Sequence, residues 1–178
     1  MKFVASAKTA LAIAAGLCFF PTPSALALTA TANLAVSATV NANCTISTAP
    51  VAFGAYDPVV TNAAAALTGT GSVTIACTKN SAPNITLGLG LNPNVSVRRM
   101  INGAELLSYE LYQPPNNAAG TACGALTQVW GTAGAAIFTP TSPGNTAGRL
   151  YNICGSVPGG QNVGVGSYAD TVVATVNF

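Results

Sequence analysis

From Leu28 onward the chain alternates. The even positions Leu28, Ala30, Ala32, Leu34, Val36, Ala38, Val40 and Ala42 are apolar, and the odd positions through Asn43 are polar except for Ala35. A period of two predicts a strand with one face on a core. The run over residues 28–43 is roughly three times the usual strand of five or six residues, so its length calls for more than an ordinary place in a sheet. Further strands are predicted over 72–78, 84–91, 106–113, 128–131, 135–139 and 168–178. In the last of these Val172, Ala174, Val176 and Phe178 share one face, with Thr171, Val173, Thr175 and Asn177 on the other. Turn-rich stretches separate them, among them Tyr56-Asp57-Pro58, Asn92-Pro93-Asn94 and Pro114-Pro115-Asn116-Asn117. Residues 154–166 hold five glycines and a proline and read as a loop. Short strands punctuated in this way predict an all-β sandwich or barrel of Greek-key type.

The front of the chain has a different character. Lys2 and Lys8, an apolar stretch over 10–20 and the small-residue exit Ala25-Leu26-Ala27 form a secretory signal over residues 1–27. Eleven apolar residues fall short of the roughly 20 that a spanning helix needs, so no stable membrane insertion is expected. Cys18 follows Leu17, where a lipidation signal wants a small residue, and it leaves with the signal.

Cleavage after Ala27 changes the charge balance. Lys79, Arg98, Arg99 and Arg149 then face Asp57, Glu105, Glu110 and Asp170, for a net charge of zero. Nucleic-acid binding calls for a clustered basic surface; Arg98-Arg99 is the one such pair, and it reads as two solvated arginines in a loop or strand end. Half the chain is hydrophobic and only 6% is charged, a surface poorly protected against self-association and suited to a protein that assembles. The length fits one domain with a real core.

Cys44, Cys77, Cys123 and Cys154 remain after cleavage, an even number in an oxidising compartment, which predicts two disulfides. The residues leave all three pairings open. With no CxxC pair and no histidine, no metal site is expected. General acid-base catalysis needs a histidine or carboxylates at suitable separation, and the four scattered carboxylates offer neither. No catalytic residue and no cofactor are expected. Gly88-Leu89-Gly90 lacks the third glycine and the following helix of a nucleotide loop, and reads as a strand end. Trp130 reads as core.

Several motifs carry a resemblance. Cys44-Thr45-Ile46, Phe53-Gly54-Ala55-Tyr56-Asp57-Pro58 and Gly71-Ser72-Val73-Thr74-Ile75-Ala76-Cys77 resemble the opening of the spore coat protein U domain. Arg99-Met100, Leu107-Ser108-Tyr109-Glu110-Leu111-Tyr112, Val129-Trp130-Gly131, Gly160-Gln161 and Gly166-Ser167-Tyr168-Ala169-Asp170-Thr171-Val172 follow in the family's order. That family includes subunits of archaic, Csu-type chaperone-usher pili. The resemblance implies an immunoglobulin-like sandwich that lacks one strand, completed by a donor strand from a neighbouring subunit. It makes residues 28–43 a donor-strand extension, acting through Leu34, Val36, Ala38 and Val40, and residues 44–178 the pilin domain. The C-terminal strand, with Val172, Ala174, Val176 and Phe178, would border the groove. The implied partners are identical or related pilin subunits, a periplasmic chaperone and an outer-membrane usher; the implied location is the cell surface, reached through the periplasm. The family also favours a Cys44–Cys77 bridge, which leaves Cys123 with Cys154. A single domain points to a shaft subunit rather than a tip adhesin. Two alternatives stand beside this reading: a secreted coat-like or carbohydrate-binding sandwich that forms no fibres, and a self-complete domain in which 28–43 pairs internally.

Overall fold

A computed structural model describes residues 26–178. The predicted signal over 1–27, with Cys18, lies outside the described residues except for its last two. The chain divides into two units, Met1–Ala38 and Thr39–Phe178. In the first, residues 26–38 have no regular secondary structure and are exposed throughout. The alternating pattern over 28–43 therefore forms no strand within this chain. A strand exists only where its backbone N–H and C=O groups find a ladder partner, and alternation in sequence does not supply one.

The second unit is an all-β, immunoglobulin-like sandwich. Its strands are β1 (Cys44–Ala52), β2 (Leu67–Cys77), β3 (Asn84–Leu87), β4 (Arg98–Asn102), β5 (Glu105–Tyr112), β6 (Arg149–Val157) and β7 (Ala174–Asn177). One sheet runs in the order β1-β2-β6-β5-β4 and the other pairs β3 with β7; every pairing is antiparallel. Alternation explains the inner strands. Val73, Ile75 and Cys77 of β2, Leu107, Tyr109 and Leu111 of β5, and Ile85 and Leu87 of β3 all point inward and are buried. Trp130, Phe138 and Tyr151 fill the middle, with ring centroids 4.8 Å apart for the first two and 5.2 Å for the second pair. The buried indole N–H of Trp130 donates to the Ile85 carbonyl at 2.9 Å, the partner such a ring needs when it leaves water. Cys44 is bonded to Cys77 and Cys123 to Cys154; the first bridge joins residues directly opposite on β1 and β2.

Several expectations are corrected. Residues 128–131 and 135–139 form no strands; each makes a single bridge, Tyr112 with Val129 and Ile85 with Phe138, and the second stretch opens in a 3-10 turn over Gly134–Ala136. The 84–91 strand stops at Leu87, where its ladder with Ala174 ends, and three residues on Gly90 turns at φ +82° against the Asp170 carboxylate. The ladder in 168–178 covers only Ala174–Asn177. Residues 154–157, expected in a loop, complete β6. Arg98 is not solvated: its side chain is fully buried. It opens β4 facing inward, where Glu110 balances its charge and three backbone carbonyls take its N–H groups.

Candidate strand-binding groove

Four strands stand at sheet edges; β4 and β3 each gain a further bridge, Ile101 with Ala169 and Ile85 with Phe138, whereas among the described residues β1 and β7 gain none. β1 pairs with β2 on one side only, and β7 pairs with β3 on one side only. These two free edges approach one another along one flank of the sandwich. A strand on the outside of a sandwich normally shows one buried face, yet Thr45 through Pro50 are exposed without interruption. The core-facing side of β1 thus lacks cover. The wall opposite shows the same deficit: Val172, Ala174 and Val176 keep their alternation and pack on the core, but they are only half-buried.

Two adjoining cavities occupy this flank. The smaller, about 390 Å³, lies between Ala49 and Val51 on one side and Val172 and Ala174 on the other, above Leu111 and Ile153. The larger, about 740 Å³, runs past the end of β1 over Phe53, Leu67, Leu107, Val157 and Val163. Val51, Phe53, Met100 and Tyr168 line both. The local cause is a break in the β1 register between Ala49 and Ala52, where Pro50 sits. Proline has no N–H to give a ladder and is tolerated on an edge; past it, Val51 turns in toward the core and Phe53 follows, both half-buried.

A polar pair in the lining of the smaller cavity is satisfied. The Tyr109 hydroxyl donates to Asp170 Oδ2 at 2.6 Å, and Asp170 Oδ1 accepts from the backbone N–H groups of Leu91 and Thr171, both at 2.8 Å. Burial first, then the hydrogen bond to Asp170, pushes the Tyr109 hydroxyl far above its ordinary range. Among the described residues no cluster of three or more histidine, cysteine or acidic side chains stands ready for a metal, and no helix is long and apolar enough to cross a membrane. An apolar cleft between two unpaired strand edges suits an extended peptide, since each edge offers free backbone donors and acceptors.

Residues 30–175 match the Spore Coat Protein U domain. The chain belongs to the Spore Coat Protein U domain family. Protein U of Myxococcus xanthus is 39% identical to it over 198 aligned positions, covering 100% of both chains. Among solved structures, it resembles the chaperone–tip adhesion subunit pre-assembly complex of the archaic chaperone-usher Csu pili of Acinetobacter baumannii. That match has a TM-score of 0.54 at 22% identity over 79% of this chain, and spans only 41% of the other chain. The likeness is one of fold.

The residues singled out from the sequence fall into separate places in this Spore Coat Protein U domain. Val172 and Ala174 line the smaller cavity, whereas Val176 packs on the core at its margin and Phe178 is exposed. Leu34, Val36 and Ala38 lie in the first unit, and Val40 lies near the start of the second; all four are exposed. Val51, Phe53, Met100, Tyr109 and Tyr168 were not foreseen as groove residues. A usable signal was present in Gly69 and Gly71, two positions apart on one face of β2, since glycine inside a strand marks a close approach.

Proposed function

We propose that the protein is a structural subunit of a secreted bacterial fibre of the archaic chaperone-usher type. Its groove receives residues 28–43 of the neighbouring copy, a donor-strand extension that precedes the pilin domain over 44–178. The observation that carries this reading is the pair of unpaired edges, β1 and β7, facing one another across an uncovered apolar cleft. The same chain carries an alternating segment that is exposed and strandless on its own. An added strand would pair with both edges, while Leu34, Val36, Ala38 and Val40 cover the core. An uncovered edge is an aggregation hazard, so the subunit needs a periplasmic chaperone before assembly and an outer-membrane usher to exchange that chaperone for the next subunit. The fibre would stand on the cell surface and serve attachment or biofilm formation. The role is structural rather than catalytic.

Val36→Asp tests the proposal. Burying the Val36 side chain contributes about 1.5–3 kcal/mol, and an unpaired carboxylate in the same place costs more than that. The variant should keep both disulfides and a folded domain yet give no fibres by electron microscopy. Fibres of normal length and number from Val36→Asp refute the proposal.

One observation favours a second reading. The 39% likeness to Protein U of Myxococcus xanthus runs over the full length of both chains, in a family whose name refers to the spore coat. A secreted coat-like sandwich that makes no fibres would be a soluble monomer of constant mass in sedimentation. The fibre subunit would be recovered with a chaperone and would polymerise on release from it.

A further inference from the structure

Resting on the strand-insertion reading, we propose that Val51 and Phe53 form a waist that divides the groove. The waist fixes the register of the incoming strand by admitting Ala38 of a second copy and no larger residue of the same face.

The waist is built into the fold. Val51 and Phe53 border both compartments, and they lie against a floor stripped of side chains. A Cβ added at Gly71 would stand 2.6 Å from Val51 Cγ2, one at Gly69 2.9 Å from Phe53 Cδ1, and one at Gly155 2.7 Å from the Phe53 ring and 2.8 Å from Val51 Cγ1. Each separation is closer than packed atoms allow, so any larger residue there would lift Val51 and Phe53 toward the groove mouth. The three glycines come from two adjacent strands, β2 and β6, and Gly69 and Gly155 are directly paired. Phe53 is held on its other side by an edge-on contact with Tyr109, with centroids 6.0 Å apart. The waist is therefore a fixed shape rather than a loose side chain that an incoming strand could sweep aside.

Same-face side chains on a strand recur about every 6.8 Å. The face offered by residues 28–42 reads Leu, Ala, Ala, Leu, Val, Ala, Val, Ala. Ala38 alone among its alanines has a branched residue on each side, Val36 and Val40. Ala30 and Ala32 are each neighbours of the other, and Ala42 is followed by Cys44, which is committed to its own disulfide. With Ala38 at the waist, Val36 and Val40 enter the compartments on either side. A slip of two residues in either direction forces a valine against Val51 and Phe53 and leaves an alanine in a roomy compartment.

The test uses the full chain and fibre yield by electron microscopy, with disulfide content and circular dichroism as checks on folding. Ala38→Leu should lower fibre yield by about tenfold or more, the consequence of overpacking at one site. Ala32→Leu, on the same face, should leave it within about twofold. Because a yield alone does not report where the strand sits, the register is also read by a cross-link. The double variant Ala38→Cys/Met100→Cys, which leaves Val51 and Phe53 intact, should give a ladder of bonded copies on a non-reducing gel, and Val36→Cys/Met100→Cys should not. Equal yields from Ala38→Leu and Ala32→Leu, or a stronger ladder from the Val36 pair, overturn the register while strand insertion stands. Absence of fibres and ladders from every variant and from the unaltered protein overturns both.

Discussion

Removing the Arg98 side chain should cost the sandwich heavily. It is fully buried and paired with Glu110, whose own side chain is 19% exposed. Its Nε donates to the Gly88 carbonyl at 2.9 Å, and its Nη2 donates to the carbonyls of Leu87 at 3.0 Å and Trp130 at 2.6 Å. One guanidinium thus ties β4 and β5 of the large sheet to the end of β3 in the small one, and both to the Trp130 segment. Arg98→Met keeps most of the volume but strands a carboxylate and three carbonyls. An exposed ion pair is worth about 0–1 kcal/mol, whereas removing one partner of a buried pair costs about 3–5 kcal/mol. With a urea m value of about 2 kcal/mol per molar, the unfolding midpoint of the disulfide-intact protein should fall by about 1.5–2.5 M. Arg99 is the internal control. It donates only to the loop carbonyls of Asn92 at 2.9 Å and Pro93 at 3.2 Å, and Arg99→Met should move the midpoint by less than about 0.5 M. Equal midpoints for the two variants would refute the assignment of Arg98 as the inter-sheet clamp.

Two other perturbations have defined signs. The Tyr109 hydroxyl is pushed up by burial and by Asp170, and the Tyr151 hydroxyl is pushed up mainly by burial. A raised folded pKa favours the neutral phenol in the native state, so this stability is complete below the unfolded value near pH 10 and is lost as pH rises above it. Above that pH the loss approaches about 1.4 kcal/mol per unit for each tyrosine. Urea midpoints measured between about pH 9 and pH 11 should fall less steeply for Tyr109→Phe than for the unaltered protein, and equal slopes would contradict the assignment. The Cys123–Cys154 bridge closes a loop with a sequence separation of 31. Chain entropy then assigns it about 4 kcal/mol, and Cys123→Ala/Cys154→Ala should lower the calorimetric melting temperature by about 8–16 °C.

What the sequence could disclose depended on whether buried and exposed positions alternate along each strand. The second half of β2, with β3 and β5, was legible because Val73, Ile75, Ile85, Leu87, Leu107 and Leu111 recur at every second position and are buried in this domain. β1 was not, since Thr45 through Pro50 face solvent on one side and an uncovered groove on the other, and nothing in their own domain requires an apolar stripe. β6 was hidden for a related reason. Gly155 looks like a loop residue, yet it belongs to the strand because Val51 and Phe53 lie where its side chain would be. Arg98 misled because a charged residue is read as solvated unless its partner is known, and Glu110 reaches it only through the pairing of Arg98 with Tyr109 on the neighbouring strand. The groove itself draws Val51, Met100 and Tyr168 from distant parts of the chain, so the sequence marks it only indirectly, through the strand glycines Gly69 and Gly71. Residues 28–43 stand at the other extreme, with a clear pattern and no strand. Alternation records that a face is selected for burial but not the molecule that buries it. Under the donor-strand proposal these two features would account for each other: an apolar face without a groove, and a groove without an apolar face over it.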